Sequence, residues 1–182
     1  MQLAVIGPGT MGLMAARRLV DSGLCSDADV RLSRVSTERR MAIQSALPEA
    51  KLLEDNAMAV ADADLVIVAV KPNQFAEIGV NLRGKVRPDT PIVSVMMAIE
   101  LKTMAEHLGT SNVVRASTNI GIQFGVATTF WITGMGATET VRDLARKVFQ
   151  VWGDEFECPT EPLLDVAMVG VGSGPALIIE FV

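Results

Sequence analysis

Three glycines near the start of the chain have the spacing of a phosphate-binding turn. Gly7, Gly9 and Gly12 form a G-x-G-x-x-G motif directly after the apolar run 3–6. In this motif the first glycine allows a tight turn, the second lets the backbone approach a pyrophosphate, and the third lets the following helix pack closely on the sheet. The motif predicts a dinucleotide site at a helix N-terminus, where N–H groups favour an anion, although a tight turn without a ligand has the same spacing. The residues predicted to form the site are Gly7, Pro8, Gly9, Thr10, Met11 and Gly12.

The residues after the second predicted strand indicate which dinucleotide the site prefers. An acidic residue there would bind the free ribose 2′-hydroxyl of NAD. The stretch 31–37 contains no Asp or Glu, and Ser33 and Arg34 offer instead a hydroxyl and a guanidinium, which suit a 2′-phosphate. Arg39 follows one or two turns later. These donors predict NADP as the first choice and NAD as the second; the alternative is that Arg34 and Arg39 are solvated surface charges.

Apolar runs alternate with helical patterns along most of the chain. A parallel pair of strands needs a crossover long enough to hold a helix, so this alternation predicts an α/β protein with a doubly wound, mainly parallel sheet. Strands are predicted at 3–6, 30–32, 51–53, 65–70, 91–95, 112–115, 127–133 and 155–157. Helices are predicted at 11–20, 37–47, 56–61, 74–82, 100–108 and 139–151.

Two prolines, Pro159 and Pro162, mark a predicted domain boundary. Residues 1–158 form the predicted dinucleotide-binding domain, and residues 159–182 form the predicted start of a helical domain. Most of this second part is predicted to be one long helix over 163–182. The sequence stops in an apolar pattern at Val182, so we expect either that another chain buries this end or that the sequence is a fragment.

Four further segments share their pattern with one known family. They are 64–72, which contains the sequence A-V-K-P, then 93–98, 114–119 and 172–176, which begins with G-S-G-P. In order and spacing these segments resemble pyrroline-5-carboxylate reductases over nearly the whole chain. The resemblance implies a Rossmann-type domain followed by an all-α dimerisation domain, in a homodimer or a higher homo-oligomer. It also implies that pyrroline-5-carboxylate is reduced at its carbon–nitrogen double bond with NAD(P)H to give proline.

The resemblance assigns roles to residues outside the glycine turn. The expected cofactor contacts are Ala69, Val70, Lys71, Pro72, Ala98 and Asn119, together with Ser33 and Arg34. The residues expected to receive the substrate carboxylate, through backbone N–H groups and one hydroxyl, are Gly172, Ser173, Gly174 and Pro175. Ser173 and Asn119 are the expected catalytic residues. The competing interpretations are a surface lysine at Lys71, a turn residue at Asn119, and glycines that only allow close helix packing.

The chemistry of imine reduction places few demands on side chains. Hydride addition to an imine that is already protonated requires an electron-poor carbon held against the nicotinamide, and positioning supplies much of the barrier reduction. A dedicated acid is therefore not obligatory. This agrees with a sequence that has a single histidine, His107, which we expect at the end of a helix rather than in a catalytic site.

The chain departs from the family pattern at the position of its M-P-N-T-P motif. The motif reads S-T-N-I-G over 117–121, without either proline, and Val171 replaces a serine. The family also continues through a further helical region, so the resemblance implies that this chain is truncated. Two alternatives therefore stay open: a related NADP-dependent reductase of another imine or a keto acid, and a dinucleotide-binding module without catalysis.

Composition excludes several other classes of function. The chain has a formal charge of −5, with 16 basic and 21 acidic residues, so we expect no nucleic-acid partner. It has no apolar run of the roughly 20 residues that a membrane span needs. Two cysteines, Cys25 and Cys158, give neither a disulfide framework nor a metal-site pattern, and no leader precedes the first strand. We therefore expect a cytoplasmic protein without a metal.

Overall fold

A sheet of eight strands, flanked by helices on both faces, forms the centre of the computed structural model, which describes residues 1–33, 35 and 37–173. The strands are β1 (Leu3–Ile6), β2 (Val30–Ser33), β3 (Lys51–Leu53), β4 (Leu65–Val68), β5 (Ile92–Ser94), β6 (Val113–Ser117), β7 (Ala127–Thr133) and β8 (Gly153–Glu157). The helices are α1 (Thr10–Asp21), α2 (Thr37–Ala46), α3 (Asn56–Val60), α4 (Phe75–Leu82), α5 (Leu101–Leu108), α6 (Glu139–Trp152) and α7 (Glu161–Met168).

The order of the strands confirms the predicted doubly wound fold. The sheet runs β3-β2-β1-β4-β5-β6-β7-β8, and all neighbours are parallel except β6 and β7. The chain moves from β1 toward one edge through β2 and β3, and then returns to the other side of β1 at β4. This reversal opens a crevice at the carboxyl ends of β1 and β4, which is where such sheets bind ligands.

Both faces of the central strands are buried, which explains their unbroken apolar sequences. Leu3 and Val5 of β1 belong to one hydrophobic cluster, with α1 and α6, whereas Ala4 and Ile6 belong to a second cluster, with α4 and α5. The first cluster contains the large aromatic side chain of Trp131, which is fully buried. Strands covered on both faces lose the alternation of polar and apolar residues that a half-exposed strand shows.

The end of the described chain differs from the predicted long helix over 163–182. The last α-helix begins two residues earlier, at Glu161, because Pro162 fits the first turn of a helix, where its missing N–H group is not needed. After Met168 the α-helix gives way to a π-helical segment, Val169–Ser173, which includes two glycines. Glycine has a low helix propensity, so this segment holds regular α-geometry poorly. The rest of the predicted helix lies outside the described residues.

Three properties follow from the described side chains. Cys25 and Cys158 are both buried and unpaired. No described helix combines the length and the apolar character needed to cross a bilayer. The described His, Cys, Asp and Glu side chains form no group of three that could hold a metal ion.

Burial of Cys25 predicts a specific pH dependence of folding. Burial raises the pKa of this thiol from 9.0 to about 11, against a smaller opposing effect of the N-terminal ammonium. The unfolded thiol therefore loses its proton first, so its contribution to stability is complete below pH 9 and decreases as pH rises toward 11. We expect wild type to lose about 2 kcal/mol more unfolding free energy across this interval than Cys25→Ala does. Chemical denaturation at a series of pH values measures the difference, and identical slopes for the two proteins would contradict it.

Candidate functional site

The glycine motif forms a tight turn between β1 and α1. Gly7 has a φ of +81°, a left-handed conformation that favours glycine. Its carbonyl oxygen accepts a hydrogen bond of 2.7 Å from the N–H group of Gly9, and the carbonyl of Gly9 accepts one of 2.9 Å from Leu13. The turn therefore delivers the chain directly into the first turn of α1, whose N–H groups have no intrahelical partners. These groups lie at the carboxyl edge of the sheet, next to the crevice.

Two of the three glycines are close to other atoms, and the third is open. A Cβ at Gly7 would lie 2.5 Å from Val70 Cγ1, and one at Gly12 would lie 2.8 Å from the carbonyl oxygen of Gly7. A Cβ at Gly9 would meet nothing nearer than Arg39 Nη1, at 3.8 Å. Gly7 and Gly12 are thus required by packing within the protein, whereas the space beside Gly9 is left for a ligand. This arrangement fits the pyrophosphate of a dinucleotide.

A cleft connects the glycine turn to the segment after β4. It comprises one cavity of about 250 Å³ over the glycine turn and a second of about 320 Å³ that shares Gly7, Val70 and Gln74 with the first. The first is lined by Gly7, Pro8, Gly9, Val35, Arg39, Ala69, Val70, Lys71 and Gln74. The structure therefore brings the glycine turn and most of the A-V-K-P segment together. Two cations, Arg39 and Lys71, border the cavity, which suits an anionic ligand.

The segment after β4 is held in place by backbone hydrogen bonds. The N–H group of Ala69 donates to Ile6, the last residue of β1, over 2.9 Å, so the two strand ends stay side by side. Pro72 begins a short 3₁₀ turn, and the N–H group of Gln74 donates to the carbonyl of Lys71 over 2.9 Å. The turn leaves the Lys71 side chain exposed at the edge of the cleft. Thr10 and Met11 begin α1 and line neither cavity, so their predicted cofactor contacts stay predictions.

Asn56 is a wall residue of the cleft that the sequence analysis missed. It is only 3% exposed, and it lines the larger cavity beside Gly7. The hydroxyl of Ser33 donates to its Oδ1 over 2.7 Å, which fixes the orientation of the amide at the cavity wall. A sequence signal existed, because Asn56 is a polar residue close after β3, a parallel strand that ends at the same edge. Arg34, which was expected beside Ser33, lies outside the described residues.

A smaller cavity of about 60 Å³ lies further along the same edge of the sheet. Its lining residues come from the ends of β5, β6 and α7, and they are Val95, Met96, Met97, Ala116, Ser117, Thr118, Met168 and Gly172. Gly172 is the one residue of the predicted substrate segment among them. Thr118 shares a hydrogen bond of 2.9 Å with Thr129, and no ionisable side chain among the described residues lines the cavity. The side chain of Ser173, and Gly174 and Pro175, lie outside the described residues.

Asn119 and Ala98 were both predicted to contact the cofactor, and the structure shows the local backbone around each of them. Oδ1 of Asn119 accepts a hydrogen bond of 2.9 Å from the N–H group of Gly121, which begins a 3₁₀ turn over Ile120–Phe124. A proline at 121, as in the family motif, could not donate this bond. Ala98 has a φ of +59°, a left-handed conformation that costs a non-glycine residue about 1–2 kcal/mol. Neither residue lines the cavities described above, so their predicted cofactor contacts stay predictions.

Comparison with known proteins gives one family and a set of similar reductases. Residues 2–98 match the family described as "NADP oxidoreductase coenzyme F420-dependent". The chain is 27% identical over its whole length to a pyrroline-5-carboxylate reductase of Methanosarcina acetivorans, of which it covers 67%. It is 25% identical, again over its whole length, to pyrroline-5-carboxylate reductase 1 of Bacillus subtilis, of which it covers 62%. The chain thus spans about two thirds of the length of these relatives.

A solved structure shares the fold over the whole chain. The pyrroline carboxylate reductase of Plasmodium falciparum, crystallised with NADP bound, matches with a TM-score of 0.87 and 18% identity. The match covers 100% of this chain and 66% of the other. These comparisons confirm the predicted resemblance and the predicted Rossmann-type fold.

The contrast between Gly9 and Gly12 gives a matched pair of substitutions. Gly9 has a φ of −72°, so Gly9→Ala should change the unfolding free energy by less than about 0.5 kcal/mol. The new methyl group would occupy the space over the turn, and we expect NADPH affinity to fall at least about tenfold. Gly12→Ala should instead cost about 1–3 kcal/mol of stability because of overpacking. Denaturation and fluorescence titration with NADPH measure both effects; unchanged NADPH affinity in Gly9→Ala would disprove the assignment.

The position of Arg39 gives a test of cofactor selectivity. If its guanidinium contacts the 2′-phosphate, Arg39→Gln should weaken NADPH about tenfold and leave NADH binding unchanged, because one charge-assisted hydrogen bond is lost. Arg40→Gln is the control for removing a charge from the same helix, since Arg40 is paired with Glu54 over 3.5 Å. Equal losses for NADPH and NADH would place Arg39 against the shared pyrophosphate and overturn its role in selectivity.

Proposed function

We propose that this chain, which belongs to the NADP oxidoreductase coenzyme F420-dependent family, reduces 1-pyrroline-5-carboxylate to proline with NADPH. The observation that carries the proposal is the shared sheet edge, where an anion-binding cleft and a small, mostly apolar cavity lie at the ends of neighbouring strands. The names of the relatives supply the substrate. The family description and the NADP-bound relative both support NADP(H) as the cofactor.

The cleft provides each type of contact that the dinucleotide needs. The N–H groups at the start of α1 and the open space at Gly9 would hold the pyrophosphate, with Lys71 as a cation at the rim. Ser33, Asn56 and Arg39 lie on the side where a ribose and its 2′-phosphate would bind. When bound, NADPH supplies the hydride. The chain itself contributes shape, charge and orientation.

The smaller cavity suits an imine better than a substrate whose reduction needs a proton from an acidic side chain of the protein. Its walls include the apolar side chains of Met96 and Met168, and no ionisable side chain of the described part of the chain lines it. A cyclic imine that arrives protonated from solution carries its own positive charge, so hydride addition needs no proton from the protein. Hydroxyl groups of Ser117 and Thr118 can orient the ring nitrogen. The cavity therefore acts mainly by positioning.

The substrate carboxylate requires a separate anion site. We assign it to the glycine segment that begins at Gly172, the described member that reaches the small cavity. In this proposal, backbone N–H groups of the glycine segment that follows the π-helical turn at Val169–Ser173 donate to the carboxylate. Ser173 and Asn119 remain the proposed catalytic residues, and the amide oxygen of Asn119 caps the following turn, so the role proposed for Asn119 falls to its N–H₂ group.

Self-association and location belong to the same proposal. Three apolar side chains on α7 and at the start of the π-helical segment, Leu163, Val166 and Val169, are 48%, 71% and 70% exposed. A stripe of this kind at i, i+3 and i+6 favours burial against another helix, so we propose a homodimer or a higher homo-oligomer. The two unpaired, buried cysteines are compatible with a reducing compartment such as the cytoplasm.

The decisive measurement is NADPH consumption with pyrroline-5-carboxylate. The absorbance of NADPH should fall only when the imine acid is present, and the rate per chain should rise with protein concentration if association completes the site. Gly9→Ala, which weakens cofactor binding without unfolding the protein, is the control. The same assay with keto acids and other cyclic imines, and analytical ultracentrifugation, complete the experiment.

Each alternative gives a distinct result. NADPH oxidation with another imine or a keto acid, but not with pyrroline-5-carboxylate, would replace the proposed substrate. NADPH binding without oxidation of any substrate, also in a chain extended to the length of the relatives, would make the protein a dinucleotide-binding module. A monomer at all concentrations would disprove the proposed association.

A further inference from the structure

Arg115 is the only charged side chain among the described residues that is fully buried. It lies on β6 and is 2% exposed. Because water scarcely reaches this side chain, the guanidinium depends on protein groups, and its Nε has no hydrogen-bond partner among the described residues. An uncompensated charge at this depth would be strongly destabilising. The partners of Arg115 therefore show what this buried charge is used for.

Two carboxylates of α7 are those partners. Nη1 of Arg115 donates to Glu161 over 2.9 Å, and Nη2 donates to Asp165 over 2.6 Å. Glu161 and Asp165 are four residues apart, so they lie on one face of the helix. The planar guanidinium reaches both at once, which an ammonium on a flexible stem does not do with the same geometry. Arg115 thereby fixes the rotation of α7 relative to the sheet.

A third element joins the same group. Oε1 of Glu161, the oxygen that accepts from Arg115, also accepts a hydrogen bond of 2.9 Å from the N–H group of Leu101, the first residue of α5. The residue before α5, Glu100, makes no side-chain capping bond of its own. Glu161 therefore caps α5 from another element, and its negative charge suits the N-terminus of that helix. Arg115 and Glu161 connect β6, α5 and α7.

Two of these elements, β6 and α7, line the small cavity, and the segment that leads from β5 into α5 lines it as well. Ser117 and Thr118 follow Arg115 at the end of β6, and the segment from β5 to α5 contributes Met96 and Met97. The end of α7 and the segment after it contribute Met168 and Gly172. Neither Arg115 nor its two carboxylate partners lines the cavity or the dinucleotide cleft. The buried ion group therefore determines how the walls of the cavity are placed, without contacting what binds there.

We propose that Arg115 is a positioning residue, which sets the width of the small cavity by orienting α7 against the end of β6. The inference rests on the proposed function, because it treats this cavity as the place where the imine acid is held. Stability alone does not explain an ion group here, since buried ion pairs are often no more stabilising than apolar residues of the same volume. The two hydrogen bonds from one guanidinium to Glu161 and Asp165 add a fixed orientation of α7.

The test compares two variants that loosen the geometry of the ion group, Arg115→Lys, which keeps the charge, and Asp165→Asn, which removes one carboxylate. In Arg115→Lys, a misplacement of the cavity walls by about 1 Å should raise KM for pyrroline-5-carboxylate and lower kcat, together reducing kcat/KM by about 10- to 100-fold. The Kd for NADPH should change less than twofold, because the glycine turn is untouched. Asp165→Asn, at a position that is 55% exposed, removes one contact with little risk to folding and should give a smaller loss of the same kind.

Hydrogen exchange provides a readout that does not depend on turnover. In both variants we expect faster exchange in α7, in Val169–Ser173 and in the first turn of α5, with no change in β1 and α1. Arg87→Lys, in an exposed ion pair with Asp64 over 2.8 Å, is the control and should change neither exchange in these segments nor kinetics.

The outcomes separate the positioning role from the proposed function. Equal changes in NADPH affinity and in KM, or faster exchange throughout the protein, would show that Arg115 is only structural. Unchanged exchange in α7 would also overturn the proposal. If wild type turns over no pyrroline-5-carboxylate, the proposed substrate fails, while the exchange pattern still decides whether Arg115 orients α7. If Arg115→Lys does not fold, Asp165→Asn carries the test.

Discussion

The parallel pairing of β1 with β2 on one side and with β4 on the other is the constraint on which the rest of the structure depends. It brings the carboxyl ends of three strands to one edge, so the loops that follow them must meet there. Gly7 can leave β1 only by turning under Val70, because a Cβ at this position would lie 2.5 Å from Val70 Cγ1. The close contact of Gly7 with Val70 therefore limits the position of both the glycine turn and the A-V-K-P segment. The cleft is the space that remains between them.

Polar and charged groups fix the orientation of individual helices and strands where apolar packing alone would allow several orientations. Arg115 orients α7, and a second group holds the edge strand β8. There the indole N–H of Trp131 donates to Glu155 over 2.6 Å, and Arg146 is paired with Glu157 over 3.0 Å. Charged side chains along an edge strand also discourage pairing with other chains. The central strands need no such groups, since burial on both faces already fixes their register.

The sequence was sufficient to predict the sheet, the glycine turn and the resemblance, because each depends on local patterns. Unbroken apolar runs identify doubly covered strands, and the spacing of Gly7, Gly9 and Gly12 has a direct structural meaning. Asn56 and Arg115 were not found, since their importance depends on residues 23 and 46 positions away in the chain. The change to π-helical geometry after Met168 was also missed. An apolar periodicity does not distinguish an α-helix from a segment in which glycines relax it.

The two cavities are maintained by separate interactions, and this has a consequence for how such a domain changes its chemistry. The dinucleotide cleft depends on β1, β4 and the close contacts of Gly7 and Gly12, whereas the small cavity depends on β5, β6 and the ion group that holds α7. A substitution in the second set can alter the accepted substrate without disturbing the cofactor. At position 121, where the family motif has a proline, the N–H group of glycine gives Asn119 a partner that a proline could not supply. In the proposed function, the cofactor site and the substrate site are therefore set by different parts of the fold, with the substrate decided by the walls that α7 and the end of β6 provide.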